Sequence, residues 1–346
     1  MCALVRNDPD DSIDYNKGVI LMKKLFCVLL SMILVMSLFA GCASSGKSDS
    51  GAIKVAIVQQ LDHSSLDEIR LAVEAELERL AKEKNMTITY TEFNGRNDAT
   101  ILNQIGAQVV SDGYDVIIPI ATMAAQCMVT AAEGKNIPII YAAISDPVSA
   151  GLTGIPTVTG TSDALNTAFM LDMMLAVQPD IQTVGLLYSN SEINSETPIA
   201  EAKAYLDSKG IAYLEKTGNN AVEIVAAASS LVDRVDAVFT PTDNVVMASE
   251  SAIAETLNAA GIPHYAGADS FVTAGAFATC GVNYTELGTY TAGMAVDILC
   301  GGALPEYHMM DGGIITVNTE TAAALGLDYA VFSQMANTVV ETTTAE

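Results

Sequence analysis

The segment at residues 53–58, IKVAIV, is a short apolar run that predicts a buried strand. Apolar side chains then recur at helical spacing from Leu66 to Leu80, which predicts an amphipathic helix. Strand-like and helix-like segments continue to alternate as far as Ala142. This alternation is typical of a parallel sheet in an α/β layer fold.

The same alternation starts again at Leu165 and continues to Ala260. The two halves also share local sequence, because YDVIIP at residues 114–119 parallels VDAVFT at residues 235–240. We therefore predict a duplication: two Rossmann-like α/β lobes, each with a parallel sheet.

Composition excludes two classes of protein. The chain has 346 residues, of which 50% are hydrophobic, enough to form two folded cores and too many for a disordered chain. Acidic residues outnumber basic ones 41 to 16, giving a formal net charge of −25. So acidic a chain is not expected to bind a nucleic-acid backbone.

Residues 1–41 predict an upstream extension followed by a secretory signal, with Lys23 and Lys24 preceding a short apolar run. The run ends in LFAGC at residues 38–42, which resembles a bacterial lipobox except that Phe39 takes the aliphatic position. We predict lipidation of Cys42 and a flexible tether over residues 42–52. An ordinary signal peptide with a chance Cys is the alternative, and translation could start at Met1 or Met22.

Enzymatic and metal-binding motifs are absent from the sequence. There is no G-x-S-x-G, P-loop, H-E-x-x-H or C-x-x-C pattern, so we predict no enzyme, no cofactor and no metal site. Cys127, Cys280 and Cys300 are expected to be buried free thiols, with a Cys280–Cys300 bridge as the alternative.

Polar residues follow the predicted strands of both halves, where ligands of parallel sheets bind. Several of them could equally be helix caps. The candidates in the first half are Gln60, His63, Ser64, Ser65, Thr122, Met123, Ser145 and Asp146. Those in the second half are Tyr188, Asn190, Thr242, Asp243, Asn244, Asp269 and Ser270.

The candidate ligand is a neutral apolar amino acid, aromatic or not. No Arg falls at a predicted strand end, so a single carboxylate would be held by the helix N-termini at residues 64–65 and 122–123. An ammonium group would be matched by one of three acids, Asp243, Asp269 or Asp146. The apolar part of the ligand would pack on Tyr188, Met123 or Phe271.

Five segments of the chain occur in a characteristic order: QQLDH at 59–63, SDPV at 145–148, GTSD at 160–163, PTDN at 241–244 and YTELG at 284–288. On these segments, the chain from Ile53 to about Asp328 resembles bacterial ABC-transporter solute-binding lipoproteins of the tryptophan/tyrosine-binding type. Asn194 and Ser195 lie in a further matching segment and join the candidates. Ser64 stands where the family often has Pro, which leaves the detail of that loop open.

This resemblance implies a type I periplasmic-binding-protein fold, with two lobes joined by a hinge of three crossovers. Lobe one would comprise residues 53–160 and 286–303, and lobe two residues 161–285 and 304–346. The implied function is capture of a small ligand by hinge closure, followed by delivery to an ABC permease and its ATPase. The protein would be an extracytoplasmic monomer, anchored through Cys42. A sugar or nucleoside binder, and a sensor for a partner receptor, are the alternatives.

Overall fold

The structure is a computed structural model that describes residues 51–345. The predicted upstream extension and signal peptide, Cys42 and most of the predicted tether lie outside the described residues. Within residues 51–345, no helix is both long enough and apolar enough to cross a membrane.

The first lobe is built on a six-stranded sheet in which all paired strands are parallel. Its strands are β1 (Ala52–Gln59), β2 (Thr87–Asn94), β3 (Val116–Ile120), β4 (Ile139–Tyr141), β5 (Val158–Ser162) and β11 (His308–Met309), in the order β11-β5-β4-β3-β1-β2. Its helices are Ser64–Glu83, Ala99–Ser111, Thr122–Ala131 and Tyr284–Leu299. The central strand β3 is buried along its whole length, as expected for a parallel strand covered on both faces.

The second lobe contains a seven-stranded sheet in the order β13-β12-β10-β9-β8-β6-β7. Its strands are β6 (Thr183–Tyr188), β7 (Ala212–Thr217), β8 (Ala237–Thr240), β9 (His264–Ala266), β10 (Ala278–Gly281), β12 (Ile314–Asn318) and β13 (Thr338–Thr342). Its helices are Thr167–Val177, Glu196–Lys209, Ala221–Ser229, Asn244–Met247, Glu250–Ala259, Asp269–Thr273, Thr319–Leu325 and Phe332–Met335. All paired strands are parallel except β10 and β12. Two mostly parallel sheets with flanking helices confirm the predicted α/β fold class.

The chain passes between the lobes after β5, after β10 and after β11. After the second passage, the helix Tyr284–Leu299 packs against the first helix, Ser64–Glu83. A Cβ atom on Gly288 would lie 2.5 Å from the carbonyl oxygen of Ile69, so this close packing of the two helices requires glycine.

Strand β11 lies in the first sheet, although residues 304–346 were predicted in lobe two. It pairs with β5 through His308 opposite Thr161 and Met309 opposite Ser162. A strand of two residues is too short to show an alternating pattern, so periodicity does not mark it in the sequence.

The three cysteines of the described chain are all free thiols. Cys127 and Cys280 are buried, as predicted, whereas Cys300 is exposed. Cys280 belongs to β10 of the second lobe, while Cys300 follows the helix Tyr284–Leu299 of the first lobe. The bridge that was kept as an alternative is therefore not formed in this structure.

Candidate functional site

A cavity of about 30 Å³ lies between the lobes, among residues that follow strands of both sheets. Carboxyl ends of strands are where parallel α/β sheets bind ligands. The first lobe contributes His63, Ser65, Leu66, Ala121, Thr122, Ala143, Ser145 and, just after β5, Asp163. The remaining lining residues are Asn194, Thr242, Asp243, Asn244, Met247, Ala268, Ser270, Phe271 and Tyr284.

Many of the predicted ligand-binding residues meet at this cavity. They come from six separate stretches of sequence, which the two sheets bring together. The predicted residues that line it are His63, Ser65, Thr122, Ser145, Asn194, Thr242, Asp243, Asn244 and Ser270. Phe271, predicted to contact the apolar part of a ligand, also lines it.

Three other predicted residues lie immediately behind the lining. The side-chain oxygen of Gln60 accepts a hydrogen bond from the backbone N–H of Met123 at 3.0 Å. Ser195 donates its hydroxyl to Asp243 at 2.7 Å. These residues hold the lining in place without forming the cavity wall.

The remaining predicted residues lie elsewhere. Ser64 is exposed at the start of its helix. Asp146 accepts hydrogen bonds within its own loop and from Thr197 of the second lobe. Tyr188 and Asn190 line a different cavity, within the second lobe. Asp269 lines a third cavity of about 350 Å³, whose wall also includes Glu68.

Several lining residues were not among the predicted ligand-binding residues: Leu66, Ala121, Ala143, Asp163, Met247, Ala268 and Tyr284. Asp163 directly follows β5, so the strand-end rule would have included it if the GTSD segment had been assigned to a strand. Tyr284 opens a helix shortly after β10 and lies in a segment that carried the family resemblance. Met247 ends a helix of four residues, which no periodic pattern marks.

The two lobes contact each other directly around the cavity. The hydroxyl of Ser65 donates to the hydroxyl of Ser270 at 2.5 Å, and the hydroxyls of Ser145 and Thr242 lie 2.8 Å apart. Both pairs join the first lobe to the second. The structure is therefore a closed arrangement of the lobes, in which the cleft is held shut by polar contacts.

Asp243 caps the helix Asn244–Met247 and has donors at both of its carboxylate oxygens. Oδ1 accepts from the backbone N–H groups of Val245 and Val246, both at 3.0 Å. Oδ2 accepts from the backbone N–H of Ser189 and the hydroxyl of Ser195, both at 2.7 Å. Burial raises the pKa of Asp243, while these hydrogen bonds act in the opposite direction.

Glu192, a polar residue after a strand of the second lobe that was not among the predicted ligand-binding residues, links the lobes from a position beside Asp243. Its carboxylate accepts from Gln60 of the first lobe at 2.9 Å and from the amide of Asn244 at 2.7 Å. Burial, together with the negative charge of Asp243, raises the pKa of Glu192 to about 8. The closed arrangement therefore favours the protonated form of Glu192 at neutral pH.

Asp163 is a second buried carboxylate at the cavity, and it belongs to the first passage between the lobes. It accepts the hydroxyl of Ser145 at 3.0 Å and the hydroxyl of Tyr284 at 3.1 Å. Burial raises the pKa of Asp163, although both hydroxyl donors favour the charged form.

His63 presents a free acceptor within this buried network. Asn244 uses its amide NH₂ on Glu192, so its oxygen faces Nε2 of His63, at 3.0 Å, and Nε2 must carry the proton. Burial lowers the pKa of the imidazole, which keeps the ring neutral at pH 7. The other nitrogen, Nδ1, is buried without a hydrogen-bond partner.

Two alanines of the lining adopt a backbone conformation that L-residues avoid. Ala121, between β3 and the helix Thr122–Ala131, has φ +74° and ψ 164°, and Ala143 has φ +57°. Such conformations cost on the order of 1–3 kcal/mol each, and they concentrate at functional sites. The strain is held by the packed strand ends on either side.

No Lys or Arg of the described chain lines the cavity. Within residues 51–345, no group of three or more His, Cys, Asp and Glu side chains is placed to hold a metal ion. The cavity thus combines buried carboxylates, hydroxyls, the N-termini of the helices Ser64–Glu83 and Thr122–Ala131, and an apolar wall that includes Met247 and Phe271. This combination suits a small ligand with an amine, an acid and an apolar part.

Comparison with known proteins agrees with this arrangement. The chain is 30% identical over 322 residues to the tyrosine-binding protein of Clostridioides difficile (strain R20291), covering 88% of this chain and 93% of the relative. A structure from Streptococcus pneumoniae, described as an ABC domain in complex with L-Trp, is 28% identical with a TM-score of 0.78. That alignment covers 84% of this chain and 100% of the other.

A second solved structure is the ligand-free, open form of a substrate-binding protein with adhesive properties from Clostridium difficile. It is 31% identical with a TM-score of 0.65, over 85% of this chain and 100% of the other. The family described as ABC transporter substrate binding protein matches residues 54–334. These findings confirm the family and the type I periplasmic-binding-protein fold predicted from the sequence. The chain belongs to the ABC transporter substrate-binding proteins.

Proposed function

We propose that this protein captures an aromatic amino acid between its lobes and presents it, by closing, to the permease of an ABC importer. The lining of the cavity carries this proposal, because it joins an apolar wall to buried carboxylates and, among the described residues, contains no Lys or Arg. Relatives described as binding tyrosine or L-Trp support an aromatic side chain over a sugar or nucleoside.

Two similarities support closure as the working motion. The open Clostridium structure is the more identical in sequence, 31% against 28%, yet its TM-score is lower, 0.65 against 0.78 for the complex with L-Trp. Such an inversion is expected when lobes of the same fold are turned differently about a hinge. The polar contacts between the lobes described above fit the closed side of this motion.

The volume of the cavity indicates how the ligand would enter. About 30 Å³ is room for roughly one water molecule, so an amino acid requires the lobes to separate first. On closing again, the lobes would stay further apart than they are here. A ligand favours closure only by its difference in affinity for the two arrangements.

Ligand binding is tested by thermal unfolding and calorimetry with purified protein. We expect L-tyrosine, L-tryptophan or L-phenylalanine to raise the melting temperature, since a ligand that binds only the folded state stabilises it by mass action. Glucose, ribose and adenosine should leave it unchanged. A shift with a sugar or nucleoside and none with any amino acid would overturn the proposal.

Membrane anchoring through Cys42 is a separate proposal, supported by the LFAGC junction at residues 38–42. Expressed in a bacterium, the parent should sediment with the membrane fraction, whereas Cys42→Ala should be released with its ligand affinity intact. Cys300→Ala is the matched control, because Cys300 is an exposed thiol of the folded part. Membrane retention of Cys42→Ala would refute the anchor.

We also propose that the protein acts as a monomer without catalytic activity, which fits a binding role in front of a permease and its ATPase. Light scattering at the ligand concentrations used above tests the monomer. Recovery of every bound ligand in unchanged form tests the absence of catalysis, and a converted product would contradict it.

A further inference from the structure

We infer that Asp163, on the first passage between the lobes, receives the ammonium group of the ligand, and that Asp243 serves as a helix cap. This inference rests on the proposed function, since it names the group of the same cavity that recognises the amine. It assigns amine recognition to Asp163, which was not among the predicted ligand-binding residues, and not to Asp243, which the sequence favoured.

Asp243 is the weaker candidate because its acceptor positions are already used. A carboxylate has about four lone-pair positions, and Asp243 accepts four hydrogen bonds from protein groups. Three of the four donors are backbone N–H groups, which cannot turn away to make room. An ammonium group at Asp243 would therefore have to displace donors that hold a helix and a strand end.

Asp163 keeps acceptor capacity for a ligand. Its two side-chain donors are the hydroxyls of Ser145 and Tyr284, one on each oxygen, and its own backbone amide is a third contact. At least one lone-pair position remains. Only 6% of Asp163 is exposed and all of these donors are neutral, so its charge has no cationic partner. A buried charge without a partner is costly, and a ligand ammonium would supply that partner.

Neighbouring carboxylates make this end of the cleft more attractive to a cation. The charges of Asp163, Asp269 and Glu68 all act on Tyr284, and burial together with these charges raises its pKa well above the usual value. Asp269 and Glu68 line the cavity of about 350 Å³ described above. Among the described residues, no Lys or Arg lines either cavity.

Amine recognition at Asp163 would also act directly on the hinge. Asp163 lies between β5 and the helix Thr167–Val177, and Tyr284 opens the helix that follows the second passage. Their hydrogen bond joins two of the three connections between the lobes. A ligand ammonium at this point contacts the connections themselves, so a ligand without an amine should bind weakly and close the lobes poorly.

The test is a cycle of two ligands and three proteins measured by calorimetry. The ligands are L-tyrosine and its counterpart without the amine, 3-(4-hydroxyphenyl)propanoate, and the proteins are the parent, Asp163→Asn and Asp243→Asn. We expect Asp163→Asn to lose about 30-fold or more in affinity for L-tyrosine and little for the analogue. Asp243→Asn should change both affinities by the same factor, because a helix cap does not distinguish a ligand that has an amine from one that lacks it.

Each outcome decides between the alternatives. Equal loss of both ligands in Asp163→Asn, or no loss, overturns the inference and leaves the proposed function standing. A parent that binds neither L-tyrosine nor L-tryptophan overturns both. If Asp163→Asn does not fold, a crystal structure of the parent with the bound amino acid decides, since the ammonium nitrogen must lie within hydrogen-bond distance of Asp163. A nitrogen bound at Asp243 instead would refute the inference.

Discussion

Carboxylates are buried both inside the second lobe and in the cleft, but the groups that surround them differ between the two regions. In the interior, Glu250 has a potential cation beside it, because Nδ1 of His264 lies 2.8 Å from its Oε1. In the cleft, Glu192 and Asp163 are surrounded by neutral donors only. The interior acid thus has an ionisable partner within its lobe, although burial raises its pKa, whereas the cleft acids depend on protons or on a ligand. The carboxylate that contributes to the stability of the fold and the carboxylates that are available for binding thus lie in different regions.

The largest effect is expected from the interior pair, in Glu250→Ala. His264 is fully buried, with its other nitrogen on the hydroxyl of Thr240 at 2.8 Å, so the substitution leaves Nδ1 without a partner and opens a cavity. Removing one member of a buried pair typically costs about 3–5 kcal/mol. Urea unfolding of the ligand-free protein measures this loss.

Glu250→Gln is the matched control, since it keeps the size of the side chain and one acceptor. It should cost clearly less than Glu250→Ala, and the folded fraction of both variants should bind ligand like the parent. Parent-like unfolding of Glu250→Ala would show that the interior pair is not the stabilising one. An altered ligand affinity in Glu250→Gln would instead show that the interior acid also influences ligand binding.

The second prediction concerns pH and Glu192 in the cleft. Burial and the charge of Asp243 raise its pKa to about 8 in the closed arrangement, and opening exposes the carboxylate to water, which lowers its pKa towards the ordinary value although the hydrogen bond from Gln60 is lost. When the pH lies between these two pKa values, closure of the lobes is accompanied by the uptake of one proton by Glu192. The contribution to closure is complete at acidic pH and is lost as the pH rises through about 8. Ligand affinity should fall over this range by up to about tenfold per pH unit.

Glu192→Gln isolates this effect, because glutamine has the shape of the protonated acid but does not titrate. The groups that face Glu192 are Asp243, which carries the neighbouring charge, and His63, reached through Asn244 and neutral at pH 7. Since both remain in the variant, the ratio of parent to variant affinity reports the titration of Glu192 together with its effect on Asp243. A ratio that stays constant with pH would show that Glu192 takes up no proton on closure and does not differ from Glu250 in this respect.

The sequence predicted the architecture more completely than it predicted the site. Strand ends are marked by apolar runs that stop at polar residues, so eight residues predicted in this way, from His63 to Ser270, line one cavity, and Asn194, taken from the family resemblance, lines it as well. No comparable sequence pattern indicates which side chains form hydrogen bonds with each other. Gln60 and Glu192 lie 132 positions apart, and nothing local indicates that they meet. The same limit applies to Asp243, whose use as a cap or as a ligand group depends on donors from two other segments.

The third prediction tests whether Asp243 behaves like an interior group although it lines the cavity. Asp243→Ala removes the cap and leaves the hydroxyl of Ser195 and the N–H of Ser189 without their acceptor. Loss of a cap alone costs about 0.5–2 kcal/mol, and we expect a loss of unfolding free energy at the upper end of that range. Asp243→Asn keeps the cap through its one oxygen but places an NH₂ group, which cannot accept, opposite the N–H of Ser189, so we expect its stability to lie between those of the parent and the Ala variant. Thermal unfolding measures both, and an Asn variant as unstable as the Ala variant would show that the contacts of Oδ2 matter more than the cap.

The smallest expected effect concerns the strained backbone of the cleft, in Ala121→Gly. At φ +74° and ψ 164°, Ala121 adopts a conformation that glycine accepts without a steric penalty. Relief of strain, on the order of 1–3 kcal/mol, is offset by the greater freedom of glycine in the unfolded chain, about 0.5–1 kcal/mol. We therefore expect the variant to be as stable as the parent or more stable by about 1 kcal/mol.

Ala124→Gly, within the helix that follows, is the matched control and should destabilise by about 1 kcal/mol, plus the loss of a buried methyl group. A loss of stability in Ala121→Gly comparable to the control would mean that the packed Cβ of Ala121 outweighs its strain. The cleft would then resemble the lobe interior in its packing and differ from it only in its uncompensated charge.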